Sequence, residues 1–262
     1  MSTPDLAIPS LFSVKGKVAV VTGGSRGIGL MIALGYVQNG AKVYISSRKA
    51  EVCDAVAEEL SKIGECISIP ADLSNKEGWE TLVNGIKENE DSLDILVNNA
   101  GATWGEPFDD FPEDGYDRTM DINVKGIFFL TQMLMPLLEN GTTTDNPARI
   151  INIGSIDGIK VSKIDNFPYG PSKAAVHHLT KVLAVRLAGR GVTVNAIAPG
   201  PFESKMMQWT LENFKDQIED NCPMGRIGST EDMAALSLFL ASPGASYING
   251  TIIPLDGGIC IN

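Results

Sequence analysis

The stretch Lys17-Val-Ala-Val-Val-Thr-Gly-Gly-Ser-Arg-Gly-Ile-Gly29, continued at helical spacing through 30–37, decides the fold. Residues 17–22 are a short β-branched apolar run, the kind buried on both faces of a parallel sheet. A glycine turn follows, and then a helix. That order turns a glycine motif into a phosphate cradle. Glycine lets backbone approach a pyrophosphate, and the helix N-terminus offers unpaired N–H groups and a positive dipole end. The cradle residues are Gly23, Ser25, Arg26, Gly27, Ile28 and Gly29. The glycines run Gly-x-x-x-Gly-x-Gly rather than Gly-x-Gly-x-x-Gly, and a tight strand–helix connection alone would give the same pattern.

The next strand outward, 42–46, runs into Ser47, Arg48 and Lys49. An Asp or Glu at this place would bind the ribose 2′-hydroxyl of NAD and repel a 2′-phosphate. Hydroxyls and cations stand here instead, and Arg26 can approach the same phosphate, which predicts NADP(H) as cofactor. The competing reading is a solvated turn capped by Arg48 and Lys49.

Farther along, apolar strands at 66–70, 93–97, 148–154, 192–198 and 250–255 alternate with helices at 50–63, 77–89, 113–138, 169–190 and 231–240. The third helix is expected to bend near Asn123. Such alternation predicts an α/β, single-domain, Rossmann-type doubly wound parallel sheet of about seven strands with helices on both faces. The domain is expected to span 1–262, with an inserted flap at 201–228. Residues 127–135 are apolar around more than one helix face, which calls for cover by the sheet and by another subunit, a dimer or tetramer, or by a second layer of the same chain.

The 262 residues suffice for one large buried core. A net charge of −11 argues against nucleic-acid and anionic-membrane partners. No apolar run reaches the length of a membrane span, and 1–17 lacks a basic region followed by an apolar core, so a cytoplasmic protein is expected. Cys53, Cys66, Cys222 and Cys260 are scattered, and the two histidines, His177 and His178, are adjacent. Neighbours in sequence point to different sides of a helix, so no metal site is expected.

Tyr169-Gly-Pro-Ser-Lys173 places a phenol and an ammonium one above the other on a helix whose start Pro171 marks. The cation should favour phenolate and bring Tyr169 below its ordinary pKa of about 10, as suits a general acid. By itself Tyr-x-x-x-Lys also reads as a helix start with an exposed lysine.

With Thr22–Gly29, Asp72, Asn98-Asn-Ala-Gly101, Asn123, Ser155 and Pro199-Gly200 in order at strand ends, the chain resembles a classical short-chain dehydrogenase/reductase from Lys17 onward. Within that family Ile151-Asn-Ile-Gly-Ser155 and Tyr-Gly-Pro-Ser-Lys-Ala-Ala are most similar to β-ketoacyl reductases, including those of rhamnolipid synthesis. The resemblance implies hydride transfer from the nicotinamide to a carbonyl carbon, with Tyr169 as proton donor. It implies that Lys173 lowers the Tyr169 pKa and binds the nicotinamide ribose, that Ser155 holds the carbonyl oxygen, and that Asn123 orients a water beside Lys173. It further implies that Asp72 and Leu73 meet the adenine. Asn99, Ala100, Gly101, Pro199, Gly200, Phe202 and Ser204, with Tyr169 and Lys173, would meet the ribose and nicotinamide. Ser204 stands where the family often has Thr.

The expected substrate is a small-molecule carbonyl compound, a 3-oxoacyl thioester or related keto ester or ketone. Met206, Met207, Trp209, Phe214 and Met224 in the flap would suit an acyl chain, and Trp104 an apolar pocket wall; the flap residues would equally dock a flap helix on the body. No Lys or Arg occurs in 133–145, and the flap is rich in Glu and Asp, which disfavours an acidic carrier-protein partner. Asp157, in the loop between Ser155 and Tyr169, reads as a solvated carboxylate or as a group for a polar substrate. Sugar-acid or polyol oxidoreduction is the alternative activity, and a non-catalytic NADP-binding sensor or scaffold a third.

Overall fold

Parallel strands cannot be joined by tight turns, so each must be followed by a crossover, and here helices supply it. The computed structural model describes residues 5–162 and 164–262, so the first four residues of the segment 1–17 read above, and Lys163, lie outside it. Strands β1 (Val18–Thr22), β2 (Lys42–Ser46), β3 (Glu65–Ser68), β4 (Ile95–Asn98), β5 (Ala148–Ile153), β6 (Val192–Pro199) and β7 (Ile252–Leu255) form one seven-stranded sheet. Their order is β3-β2-β1-β4-β5-β6-β7 and every pair is parallel.

The helices are α1 (Ile8–Leu11), α2 (Gly27–Gln38), α3 (Ala50–Leu60), α4 (Lys76–Lys87), α5 (Glu113–Met120), α6 (Gly126–Glu139), α7 (Tyr169–Leu187), α8 (Gln208–Asp220) and α9 (Thr230–Ala241). Side chains alternate faces along a strand, and β1 divides its residues between two cores accordingly. Ala19 and Val21 pack with Ile32 of α2, Cys53 of α3 and Met233 of α9. Val20 packs with Leu82 of α4, Leu134 of α6 and Leu183 of α7. From β1 the chain winds to β2 and β3 on one side and to β4–β7 on the other. The reversal between β1 and β4 opens a crevice at the carboxyl ends of the strands, where an open α/β sheet places ligands.

The expected bend near Asn123 is a π-helical turn, Asp121–Lys125, between α5 and α6. Most strand ends fall within two residues of expectation. The 3₁₀ turns at Phe108–Asp110, Ile156–Gly158, Pro243–Ala245 and Ile259–Ile261, like α1, are too short to leave a period in the sequence.

Residues 201–228 leave β6 and return to their origin: the Gly228 N–H donates to the Pro201 carbonyl at 2.9 Å. Inside this excursion α8 buries none of its residues, with Trp209 and Phe214 in edge contact at 5.7 Å and both exposed. Met207, Leu211 and Ile218 are half-buried, so part of the apolar set rests on the body while Met206, Trp209 and Phe214 stay exposed. On α6 Leu130 and Leu134 pack in the core beneath the sheet, while Phe129 stacks on Trp79 of α4 at 5.3 Å and meets Phe128 edge-on, both rings staying partly exposed. No described helix is long and apolar enough to cross a membrane.

Candidate active site

The glycine turn closes the carboxyl end of β1. Gly23 and Gly27 have φ of +66° and +51°, a region that L side chains rarely enter. A Cβ on Gly23 would come within 2.7 Å of Asn99 Nδ2, and one on Gly27 within 3.0 Å of the Ser204 Cβ. The flap thus lies directly over the turn. Thr22 fastens the turn to the end of β4: its Oγ1 accepts the N–H groups of Asn99 and Ala100, both at 2.9 Å. Asn99 replies by donating Nδ2 to the Thr22 carbonyl at 2.7 Å. Asn99 therefore shapes the cradle with its amide. Thr22 was not singled out by the sequence, although it opens the quoted motif.

At the end of β2 the hydroxyls of Ser46 and Ser47 are buried without a hydrogen-bond partner. Arg26 and Arg48 are exposed on either side and pair with no carboxylate among the described residues. Unsatisfied buried hydroxyls are uncommon. Together with two uncommitted guanidinium groups, they are the donor set that a ribose 2′-phosphate needs, and the glycine turn leaves room for a pyrophosphate. These residues fit NADP(H).

Other expected contacts hold their places with less to offer. Ser74 donates its N–H (3.1 Å) and hydroxyl (2.8 Å) to one Asp72 oxygen. Leu73 is buried in the core and its carbonyl accepts Trp79 Nε1 at 2.8 Å. Phe202 is buried with its ring against Gly228. Ile28, in the first turn of α2, packs against the core. Gly200, after Pro199, donates its N–H to the Leu255 carbonyl at 2.9 Å and passes against Asp256, where a Cβ would meet the Asp256 Cα at 2.9 Å.

Asn123, Ser155, Tyr169 and Lys173 converge at the carboxyl end of β5. Tyr169 is the first residue of α7, and Lys173 lies one turn on. Lys173 Nζ donates to the Ile153 carbonyl at 2.9 Å and stands 5.6 Å from the Tyr169 ring centroid. The π turn aims Asn123 inward, fully buried, where Oδ1 accepts the Ala102 N–H at 2.8 Å. Its Nδ2 donates to the Ala102 carbonyl and to Ser172 Oγ, both at 2.9 Å. Asn123 Oδ1 and Lys173 Nζ both border Gly101, at 3.1 and 3.6 Å from where its Cβ would be. Ser155 is buried at the start of the Ile156–Gly158 turn and accepts the Asp157 N–H at 3.1 Å.

One expectation fails here. The Tyr169 pKa is pushed up to about 12 rather than down, first by burial and then by the Asp157 carboxylate, against an opposing hydrogen bond with Ser155. Burial in turn brings Lys173 down to about 8. The lysine spends its shortest contact on Ile153 and sits beside the phenol ring rather than on its oxygen, so in the absence of ligand desolvation outweighs its attraction.

Two networks escaped the sequence. Asn98 Nδ2 donates to Asn152 Oδ1, and Asn152 Nδ2 to Thr180 Oγ1, both at 2.9 Å, which ties β4 and β5 to α7. The available signal was a polar residue at matched depth in two apolar strands. Phe167 meets Phe108 and Phe111 edge-on at 5.4 and 5.9 Å, and the Glu106 N–H donates to the Asp165 carbonyl at 3.0 Å. An aromatic wall thus joins the loop after Gly101 to the loop before Tyr169. Trp104, half-buried, rests on Gly115 of α5. Among the described residues no group of three or more His, Cys, Asp or Glu could hold a metal ion.

A family model described as enoyl-(acyl carrier protein) reductase matches residues 23–260. The chain is 46% identical over 249 residues to the rhamnolipids biosynthesis 3-oxoacyl-[acyl-carrier-protein] reductase of Pseudomonas aeruginosa, covering 94% of this chain and 97% of that protein. It is 33% identical over 258 residues to gluconate 5-dehydrogenase of Gluconobacter oxydans, covering 97% and 98%. Among solved structures, the Pseudomonas aeruginosa RhlG/NADP active-site complex matches with a TM-score of 0.93 at 44% identity, over 96% of this chain and 99% of that one. A parallel sheet with its glycine turn at the strand reversal, a tyrosine–lysine pair at the head of α7 and matches over nearly the full length lead to one assignment: the chain belongs to the short-chain dehydrogenase/reductase family of oxidoreductases.

Proposed function

We propose that the protein is an NADPH-dependent carbonyl reductase acting on a 3-oxoacyl thioester or a related keto ester or ketone. The observation that carries this is the convergence of Ser155, Tyr169 and Lys173 at the carboxyl end of β5, in a sheet whose β2 end presents unpartnered hydroxyls and cations. Bound NADPH supplies hydride to the carbonyl carbon. The Ser155 hydroxyl holds the carbonyl oxygen, and Tyr169 gives that oxygen its proton as negative charge develops, which a phenol still protonated at neutral pH can do. Lys173, still cationic below about pH 8, stabilises the phenolate left behind. Asn123 positions Ala102 and, through Ser172, the first turn of α7. Gly23, Ser25, Gly27 and Gly29 cradle the pyrophosphate, and Arg26, Ser47 and Arg48 hold the 2′-phosphate. Segment 201–228 acts as a flap whose exposed Met206, Trp209, Phe214 and Met224 cover an acyl chain.

The relatives' names couple the acyl group to a carrier protein, whereas the net charge of −11 on this chain disfavours an acidic carrier and is neutral toward an uncharged keto ester. A homo-oligomer closing over Phe128 and Phe129 fits the apolar outer face of α6, and four free thiols suit the reducing cytoplasm.

An NADPH-oxidation screen across acetoacetyl-CoA, longer 3-oxoacyl thioesters on CoA and on carrier protein, keto esters and keto-gluconates tests the assignment. Turnover of the thioesters or esters is expected; turnover of keto-gluconates alone would move the protein to the sugar-acid branch. Tyr169→Phe should lower kcat/KM roughly 10²- to 10⁴-fold while leaving NADPH bound, and an unchanged kcat/KM would remove the acid–base role. Tighter binding of NADH than NADPH would overturn the assignment of Arg26 and Arg48.

A further inference from the structure

The 3₁₀ turn Ile156–Gly158 is pressed against the first turn of α7: a Cβ on Gly170 would lie 3.0 Å from the Asp157 carbonyl, and one on Gly158 2.7 Å from the Lys173 carbonyl carbon. The Ser155 hydroxyl fixes the other end by accepting the Asp157 N–H. Asp157 is thereby held at a set place beside the proton donor. It is half-buried, and its carboxylate makes no ion pair and no side-chain hydrogen bond among the described residues. Its charge is felt by the Tyr169 phenol and by the Cys260 thiol on the C-terminal turn. The carboxylate is therefore within reach of both the start of α7 and the C-terminal turn.

Among the charges nearby, the Lys160 ammonium is felt by the Asp157 carboxyl without an ion pair, and burial of that carboxyl outweighs it and raises its pKa. Lys160 donates its ammonium to the Ile259 carbonyl at 2.9 Å, and Lys173 donates to Ile153. Asp256 accepts the N–H groups of Gly258 and Cys260 at 3.0 and 2.7 Å. His177, one turn beyond Lys173, is buried, and burial lowers its pKa, which keeps it neutral. A carboxylate without an ion pair whose charge reaches the proton donor acts also on any charge the substrate carries next to the carbonyl that the donor protonates.

Resting on the reductase assignment above, we propose that Asp157 is a charge filter: it excludes keto acids that carry a carboxylate beside the carbonyl and admits neutral thioesters and esters, whose carbonyl neighbourhood is uncharged. The same carboxylate draws in carbonyl compounds bearing a nearby cation.

Three ketones of one size class test this with NADPH: acetoacetate (anionic), methyl acetoacetate (neutral) and the acetonyltrimethylammonium cation. For the wild-type protein kcat/KM should rise in that order. In Asp157→Asn the anion-to-neutral ratio should increase roughly ten-fold or more and the cation-to-neutral ratio fall, as expected for unit charges several ångströms apart in a partly solvated cleft. Asp157→Ser should do the same, which separates the charge from the shape of the amide. A general loss of packing would depress all three substrates alike and leave the ratios in place. Turnover of methyl acetoacetate with ratios unchanged in both variants overturns the filter and leaves the reductase standing. No turnover of any carbonyl compound by the wild-type protein overturns both.

Discussion

Lys173 keeps its ammonium on the Ile153 carbonyl at 2.9 Å, in a place that water barely reaches, and its pKa falls to about 8 as a result. Tyr169, raised to about 12, holds its proton well beyond that point. The alkaline limb of kcat/KM for carbonyl reduction should therefore begin near pH 8 and report the lysine, and Lys173→Arg should push it upward. The same shift bears on stability. Between about 8 and 10.5 the unfolded chain keeps a proton that the folded lysine has lost, so the penalty of burying the cation is fully present below about 8 and disappears as pH rises to about 10.5. The Tm difference between Lys173→Met and wild type should accordingly be more favourable to the variant at about pH 7 than at about pH 10. A difference independent of pH would mean that the folded amine keeps its ordinary pKa of about 10.5.

The π turn Asp121–Lys125 shows what one element does for the site. A straight α-helix from α5 into α6 would turn Asn123 along a different direction; the wider turn aims its amide at Ala102 and Ser172. π turns of this kind recur at functional sites. Asn123→Ala leaves a buried N–H, a carbonyl and a hydroxyl without their partner, which should cost about 2–4 kcal/mol in urea unfolding and lower kcat more than it raises the KM for NADPH. The flap follows a different logic. Its ends are pinned, by Gly228 to Pro201 and by Cys222 beneath Gly257, but α8 between them has no fully buried residue, only half-buried ones such as Leu211 and Ile218. An element held only at its base is of the kind that moves on ligand binding.

At the level of the whole molecule, exposed Phe128 and Phe129 on α6, and Val182 and Val185 on α7, lie on the side of the sheet that α4, α6 and α7 cover. Val185 is 78% exposed on a helix whose opposite side is core. Side chains of this size are left in water at a cost unless another copy covers them. Light scattering at micromolar concentration should show a dimer or tetramer, and Phe128→Glu with Val185→Glu should shift it toward monomer with little change in the secondary-structure spectrum. A monomeric wild-type protein would remove the oligomer from the proposal.

Residue pattern alone determined the α/β alternation, the glycine turn after β1, the bend at Asn123 and the identity of the polar residues at the strand ends, because each leaves a local trace: a period, a breaker, or a polar side chain where an apolar run stops. Only the tertiary structure decided how those side chains are spent. Asn99 grips Thr22, Asp72 is half taken by Ser74, Lys173 turns to Ile153, and the turn of Asp157 comes to lie against the start of α7, where its charge reaches the phenol. The reason is physical: burial and the nearest partner set a group's hydrogen bonds and its proton affinity, and both depend on segments as distant in sequence as β1 and β4, which spacing along the chain does not encode.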